Sequence, residues 1–189
     1  VGHSKDFMVR GKSFYAIWDE QRKLWSTDEF DVQRLVDEDL DNYIQERSTH
    51  SEEVYNPLYL RDFKSNSWKE YRTFINHMPD SNKQLDTKLI FLSDDVKRTD
   101  YSSKRLPYDM KPGTIDCYDE LIGTLFLPEE RQKLEWAVGA ILSGDSKSLQ
   151  KFIILYGEGG TGKSTFLNLV QQLFEGYYIA FDAKALASS

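Results

Sequence analysis

The hydrophobic pattern opens with a short aromatic alternation. Phe14–Trp18 and Lys23–Trp25 flank Asp19, Glu20, Gln21 and Arg22, which predicts a hairpin with a four-residue loop. The period then changes. Val32, Leu35, Val36, Leu40, Tyr43 and Ile44 recur at helical spacing and predict a helix ending near Arg47. Ser26 and Glu29 stand at the spacing of a capping box before it, and Asp28, Glu29 and Asp31 suit the positive end of its dipole. Ser67 and Glu70 repeat the box. There Trp68, Tyr71, Phe74 or Ile75, and Met78 predict a second helix with a core-facing aromatic stripe, stopping before Pro79.

Further along, Leu89–Leu92 reads as a short strand running into a turn at Ser93, Asp94 and Asp95. Residues 97–113 are mixed and irregular. Residues 116–126 predict a helix with Tyr118, Leu121, Ile122 and Leu125 inward. Pro128 with Glu129 and Glu130 starts another, with Leu134, Ala137, Val138, Ile141 and Leu142 on one face and Gly144 as its stop. Lys151–Tyr156 is a nearly continuous apolar run, the signature of a strand buried on both faces. Phe166, Leu169, Val170, Leu173 and Phe174 then mark a helix, with Gly176 past its end.

Composition narrows the class. Of the 189 residues 40% are hydrophobic and 29% charged, as in globular chains rather than disordered or collagenous ones. No apolar run nears the ~18 residues of a membrane span, so no membrane partner is expected. The N-terminal residues show no signal core, and a single cysteine, Cys117, excludes an internal disulfide or a cysteine-based zinc site. A cytoplasmic location is the expectation. The net charge is −7, of which −6 falls on residues 1–56. A protein that coats DNA by phosphate contacts alone needs a basic excess, and this chain has none.

The chemistry concentrates where that apolar run ends. Gly157, Glu158, Gly159, Gly160, Thr161, Gly162, Lys163 and Ser164 complete the G-x-x-x-x-G-K-[ST] pattern, between a predicted strand and a predicted helix. Backbone N–H groups of such a loop wrap a triphosphate, and the helix start adds partial positive charge. Lys163 is expected to reach the β- and γ-phosphate oxygens as the catalytic cation. Ser164 is expected to ligate Mg²⁺, and Thr165 to help hold the phosphate end. ATP and Mg²⁺ are the cofactors this pattern calls for.

Other features read as structural. His3, His50 and His77 lack metal-ligand spacing. Asp94 and Asp95 read as a solvated turn. Asp37, Glu38, Asp39 and Asp41 read as a solvated helix face, and Cys117 as a buried or half-buried thiol. Lys97, Arg98, Lys104, Arg105 and Lys111 with Tyr101 and Tyr108 could touch single-stranded DNA, but nearby aspartates dilute the charge.

Residues 121–173 resemble the superfamily III helicases of the phage, plasmid and poxvirus primase-helicase type. The matching residues are Val138 to Asp145, then Lys147 to Gln150, then Phe152 to Leu167. Leu89 to Tyr108 is similar to the segment those proteins carry before the ATPase. Where the family often has Asn-Gly after that strand, this chain has Asp94-Asp95. The resemblance implies an ATP-dependent replicative DNA helicase. It implies a homo-oligomer, a hexameric ring, that pulls single-stranded DNA through its pore, with a fused or associated primase.

The expected fold class is α+β. Residues 1–113 would form a mostly helical N-terminal region with a small hairpin. Residues 114–189 would hold lead-in helices and the start of an α/β P-loop, AAA+-like ATPase domain. Only 32 positions follow Gly157, too few to complete a covered parallel sheet, so the chain is expected to be a piece of a larger protein that is inactive alone. Two other classes stay open: an oligomerisation or collar module without its own ATPase activity, and a P-loop small-molecule kinase.

Overall fold

The computed structural model describes residues 8–49, 56–62, 66–144 and 146–180. Their architecture is α+β: several helices and one three-stranded antiparallel sheet. The chain divides into two compact units. One comprises Val1–Asp86 and Asp95–Ser103, the other Thr87–Asp94 and Lys104–Ser189.

In the first unit, β1 (Met8–Arg10), β2 (Tyr15–Asp19) and β3 (Leu24–Ser26) pair in that order, with Ile17 opposite Met8 and Trp18 opposite Trp25. The hairpin between β2 and β3 is the predicted one; β1 was not predicted. Asp19 closes the turn. Its buried carboxylate accepts from the Gln21 and Arg22 N–H groups at 2.9 and 3.0 Å, and Lys23 takes a left-handed φ of 54°.

Helix α1 (Glu29–Ser48) starts on Asp28, whose carboxylate accepts from the Phe30 N–H at 2.7 Å. The expected capping box is therefore corrected. Ser26 is the last residue of β3 and its hydroxyl donates to Asp31, while Glu29 accepts from the Tyr15 hydroxyl. In α2 (Ser67–Asn76), Asn66 rather than Ser67 occupies the cap position, so the second box is corrected too. Met8, Ile17, Val32 and Ile75 form the core, with Leu35, Trp68, Tyr71 and Phe74 packed against it.

The solvated acidic face needs one correction. Asp37 is fully buried, and its two oxygens accept the Leu60 N–H at 2.7 Å and the Arg61 N–H at 3.2 Å. A carboxylate tolerates burial when charge-assisted hydrogen bonds replace its water. Asp41 next to it accepts from the Tyr59 hydroxyl at 2.6 Å.

The second unit contains α3 (Asp116–Leu125), α4 (Pro128–Leu142), the single turn α5 (Ser146–Leu149) and α6 (Lys163–Leu173). Pro128 opens α4 and the Glu130 carboxylate accepts the Leu127 N–H at 3.0 Å. Ile122, Leu134 and Phe166 are the buried centre where α3, α4 and α6 meet. Leu121 and Ile141, expected inward, are exposed.

Two predicted strands do not form among the described residues. Residues 89–92 make only isolated links, Leu106 N–H to Ile90 C=O and Leu92 N–H to Tyr108 C=O. The run 151–156 has no regular secondary structure, pairs with no described strand and is largely exposed: Phe152 84%, Ile154 75% and Tyr156 97%. No described segment lies beside it as a strand, so only Leu155 is packed against the core. No helix among the described residues is long and apolar enough to cross a membrane.

Candidate phosphate-binding loop

Residues 157–162 link that apolar run to the first turn of α6. Gly160 and Gly162 both take a left-handed φ of 81°, and Gly162 is the residue that caps α6. Only glycine adopts this conformation without a steric penalty. The Gly162 C=O accepts the Phe166 N–H at 3.0 Å, the first bond of the helix. Phe166 in turn packs edge-on against Phe126 at 5.9 Å, which anchors the helix start to the α3–α4 corner. Gly162 also lies directly against α3: a Cβ on it would come within 2.7 Å of Leu125 Cδ2.

Lys163 is the first residue of α6, and its side chain turns back into the loop. Its Nζ donates to the Gly157 C=O at 2.8 Å, the Glu158 C=O at 2.6 Å and Thr161 Oγ1 at 3.0 Å. The Thr161 hydroxyl donates to the Glu158 C=O at 2.9 Å. A Cβ on Gly157 would sit 3.3 Å from Thr161 Oγ1 and 3.7 Å from Lys163 Nζ, crowding the lysine's cradle. Ser164 and Thr165 follow on the exposed first turn of the helix. The expected site residues Gly157, Glu158, Gly159, Gly160, Thr161, Gly162, Lys163, Ser164 and Thr165 are thus contiguous in one loop and one helix start.

This arrangement fits an anion. The Lys163 ammonium sits inside the loop at the N-terminus of the 11-residue α6, where the helix dipole is positive. Beside it opens a cleft of about 410 Å³, walled by Leu125, Phe126, Leu134 and Leu155, with Lys133 and Lys163 also lining it. That volume falls within the ~300–1,000 Å³ of small-molecule sites.

The other sequence candidates are not brought to this loop. His3 and His50 lie outside the described residues, and His77 bonds the Thr73 C=O at 2.6 Å through Nδ1. Asp94 accepts the Phe91 N–H at 2.8 Å, within a turn as expected. Cys117 is exposed, not buried or half-buried, because it precedes the inward positions of α3. The basic and aromatic candidates belong to different units and are engaged locally. Tyr101 stacks on Trp25 at 5.8 Å with the Lys83 amine over it, and Arg98 pairs with Glu20. Lys23 holds the Glu20 carboxyl down at about 2. Arg105 donates to the Leu92 and Asp94 carbonyls, and Lys111 pairs with Asp109. Among the described residues no group of His, Cys, Asp or Glu could hold a metal ion.

Two contacts at the site carry no sequence signal: Leu125 against Gly162, and Thr161 between Lys163 and Glu158. No protein-family model, curated protein or solved structure matches this chain.

Proposed function

We propose that residues 157–165 bind the phosphates of ATP with Mg²⁺. On this reading the chain belongs to an ATP-dependent replicative DNA helicase of the superfamily III primase-helicase type. It combines a helix-rich region, 1–113, with the beginning of an AAA+-like P-loop domain, 114–189. It works in the cytoplasm, or the host cytoplasm, as a hexameric ring on single-stranded DNA.

One observation carries the nucleotide part. The G-x-x-x-x-G-K-S sequence folds as a loop closing on Lys163 at the N-terminus of α6. The helicase part rests on the sequence resemblance over residues 121–173. In this mechanism Lys163 reaches the β- and γ-phosphate oxygens, where it offsets charge that develops on phosphoryl transfer. The backbone N–H groups of the loop and of the first turn of α6 orient the phosphates. Mg²⁺, when bound, neutralises phosphate charge, and the Ser164 hydroxyl is the group on this chain suited to hold it.

The test is ATP hydrolysis by the protein carrying this segment, with and without single-stranded DNA. Turnover should rise with DNA and fall by at least ~10²-fold in Lys163→Ala, the order seen when a single charge-stabilising group is removed. Unchanged turnover in Lys163→Ala refutes the assignment. DNA-independent phosphorylation of a small acceptor would favour the kinase class instead. The assembly reading draws on the exposed side chains of Phe152, Ile154 and Tyr156. It is favoured if the chain oligomerises without binding ATP.

A further inference from the structure

We propose that Thr161 is a positioning residue that parks Lys163 between the loop carbonyls, so that the ammonium is already held at the place where phosphate would bind. The inference rests on the reading of this loop as a phosphate site.

An ammonium has three donors and no acceptor. Here all three are used inside the loop, on Gly157 C=O, Glu158 C=O and Thr161 Oγ1 at 2.8, 2.6 and 3.0 Å. Two of these partners are main-chain carbonyls, which any residue supplies. The third is the only one set by a side chain. The direction of its bonds is fixed as well. Thr161 spends its single hydroxyl proton on the Glu158 C=O at 2.9 Å, which leaves the oxygen lone pairs for Lys163.

The Glu158 carbonyl therefore accepts from both groups, and the three form a closed ring of hydrogen bonds. That ring joins the first half of the loop, at Gly157 and Glu158, to its second half, at Thr161 and Lys163. An ammonium held this way has its position set by one threonine hydroxyl together with two main-chain carbonyls.

The experiment is competitive amine acetylation of the folded 189-residue chain by limiting acetic anhydride, read at each lysine by peptide mass spectrometry. Lys133 is the internal reference, being exposed and in the same unit. In the wild type Lys163 should label roughly fivefold to tenfold more slowly than Lys133, the protection expected of a charge-assisted hydrogen-bonded set. Thr161→Val, which keeps the shape and removes the hydroxyl, should bring Lys163 close to the Lys133 rate. Thr161→Ser should restore the protection. Global unfolding would instead raise all lysines together and abolish the helical circular dichroism. Thr161→Ser then provides the folded comparison, and Thr161→Gly serves as a second hydroxyl-free variant.

Two results overturn the proposal: Lys163 labelling as fast as Lys133 in the wild type, or unchanged protection in folded Thr161→Val and Thr161→Gly. Adding tripolyphosphate with Mg²⁺ separates this from the underlying reading. Protection of Lys163 in Thr161→Val by tripolyphosphate supports the phosphate site. No protection by it, with the threonine-dependent difference intact, refutes the phosphate site and leaves the parking contact standing.

Discussion

Alanine at three glycines of the loop gives a graded test of its geometry. Gly159 is not in the left-handed region and has open space around its Cβ position. Alanine there should be neutral or slightly stabilising, since it restricts the unfolded chain by about 0.4–1 kcal/mol. Gly160 has φ of 81° and open space. Alanine there meets only the left-handed penalty of about 1–2 kcal/mol, partly offset by the same unfolded-state effect. Gly162 has φ of 81° and Leu125 Cδ2, Cδ1 and Cγ at 2.7, 2.9 and 3.0 Å from the Cβ position. Alanine there adds an overpacking cost of about 1–3 kcal/mol, for a total of about 2–5 kcal/mol before the same unfolded-state offset.

The assay is urea denaturation of each variant followed by circular dichroism, with hydrogen exchange of the α6 amides as the local readout. Leu125→Ala in the Gly162→Ala background removes the overlap but not the backbone strain. The double-mutant cycle should therefore show a favourable coupling of about 1–3 kcal/mol. Equal stability of the three single variants would refute the conformation assigned to the loop. A zero coupling between positions 125 and 162 would refute the contact between α3 and the cap of α6.

In the first unit, Asp37→Ala should cost about 2–4 kcal/mol in a urea melt, because it strands the Leu60 and Arg61 N–H groups beside a void. Glu38→Ala, which loses only an exposed pair with Arg34, should stay within about 0.5 kcal/mol; equal effects would refute the buried clamp. Burial pushes the Tyr71 hydroxyl up to about 12, and burial with the Glu29 carboxylate does the same for Tyr15. A pKa raised by folding contributes stability that is complete below the unfolded value near 10 and is lost as pH rises through about 12. Ultraviolet titration should show Tyr71 ionising late, and Tyr71→Phe should flatten the alkaline loss of stability between those limits; ionisation of every tyrosine near 10 in the folded chain would refute it.

Much of the helical content was legible because each helix carries its own apolar period and its own terminators. Pro128 and Gly144 bracket α4, Pro79 follows the end of α2, and both signals act within a few residues. The hairpin was legible for the same reason. What failed depended on residues distant in the chain. Asp37 looked solvated because its partners, Leu60 and Arg61, lie more than twenty positions later in a segment without periodicity. The caps were misplaced by one or two residues because Ser26 was already committed to β3 and to Asp31. The 89–92 and 151–156 runs have the composition of strands, but a strand needs a neighbour, and composition does not supply one. At the loop, the candidate residues are those of the motif itself, which are contiguous in the chain. The rotamer of Lys163 and the seat of Gly162 on Leu125 are tertiary facts with no linear signature.

The run from Phe152 to Tyr156 has a consequence for handling the protein. Among the described residues it has no strand partner, and its uncharged, β-prone side chains are mostly open to solvent. Such a segment templates intermolecular strand pairing and is the kind from which cross-β aggregates nucleate. This run thus works against the solubility that a net charge of −7 favours. A single charged gatekeeper on an outward position of that run, such as Ile154→Lys, acts on the hazard at its source.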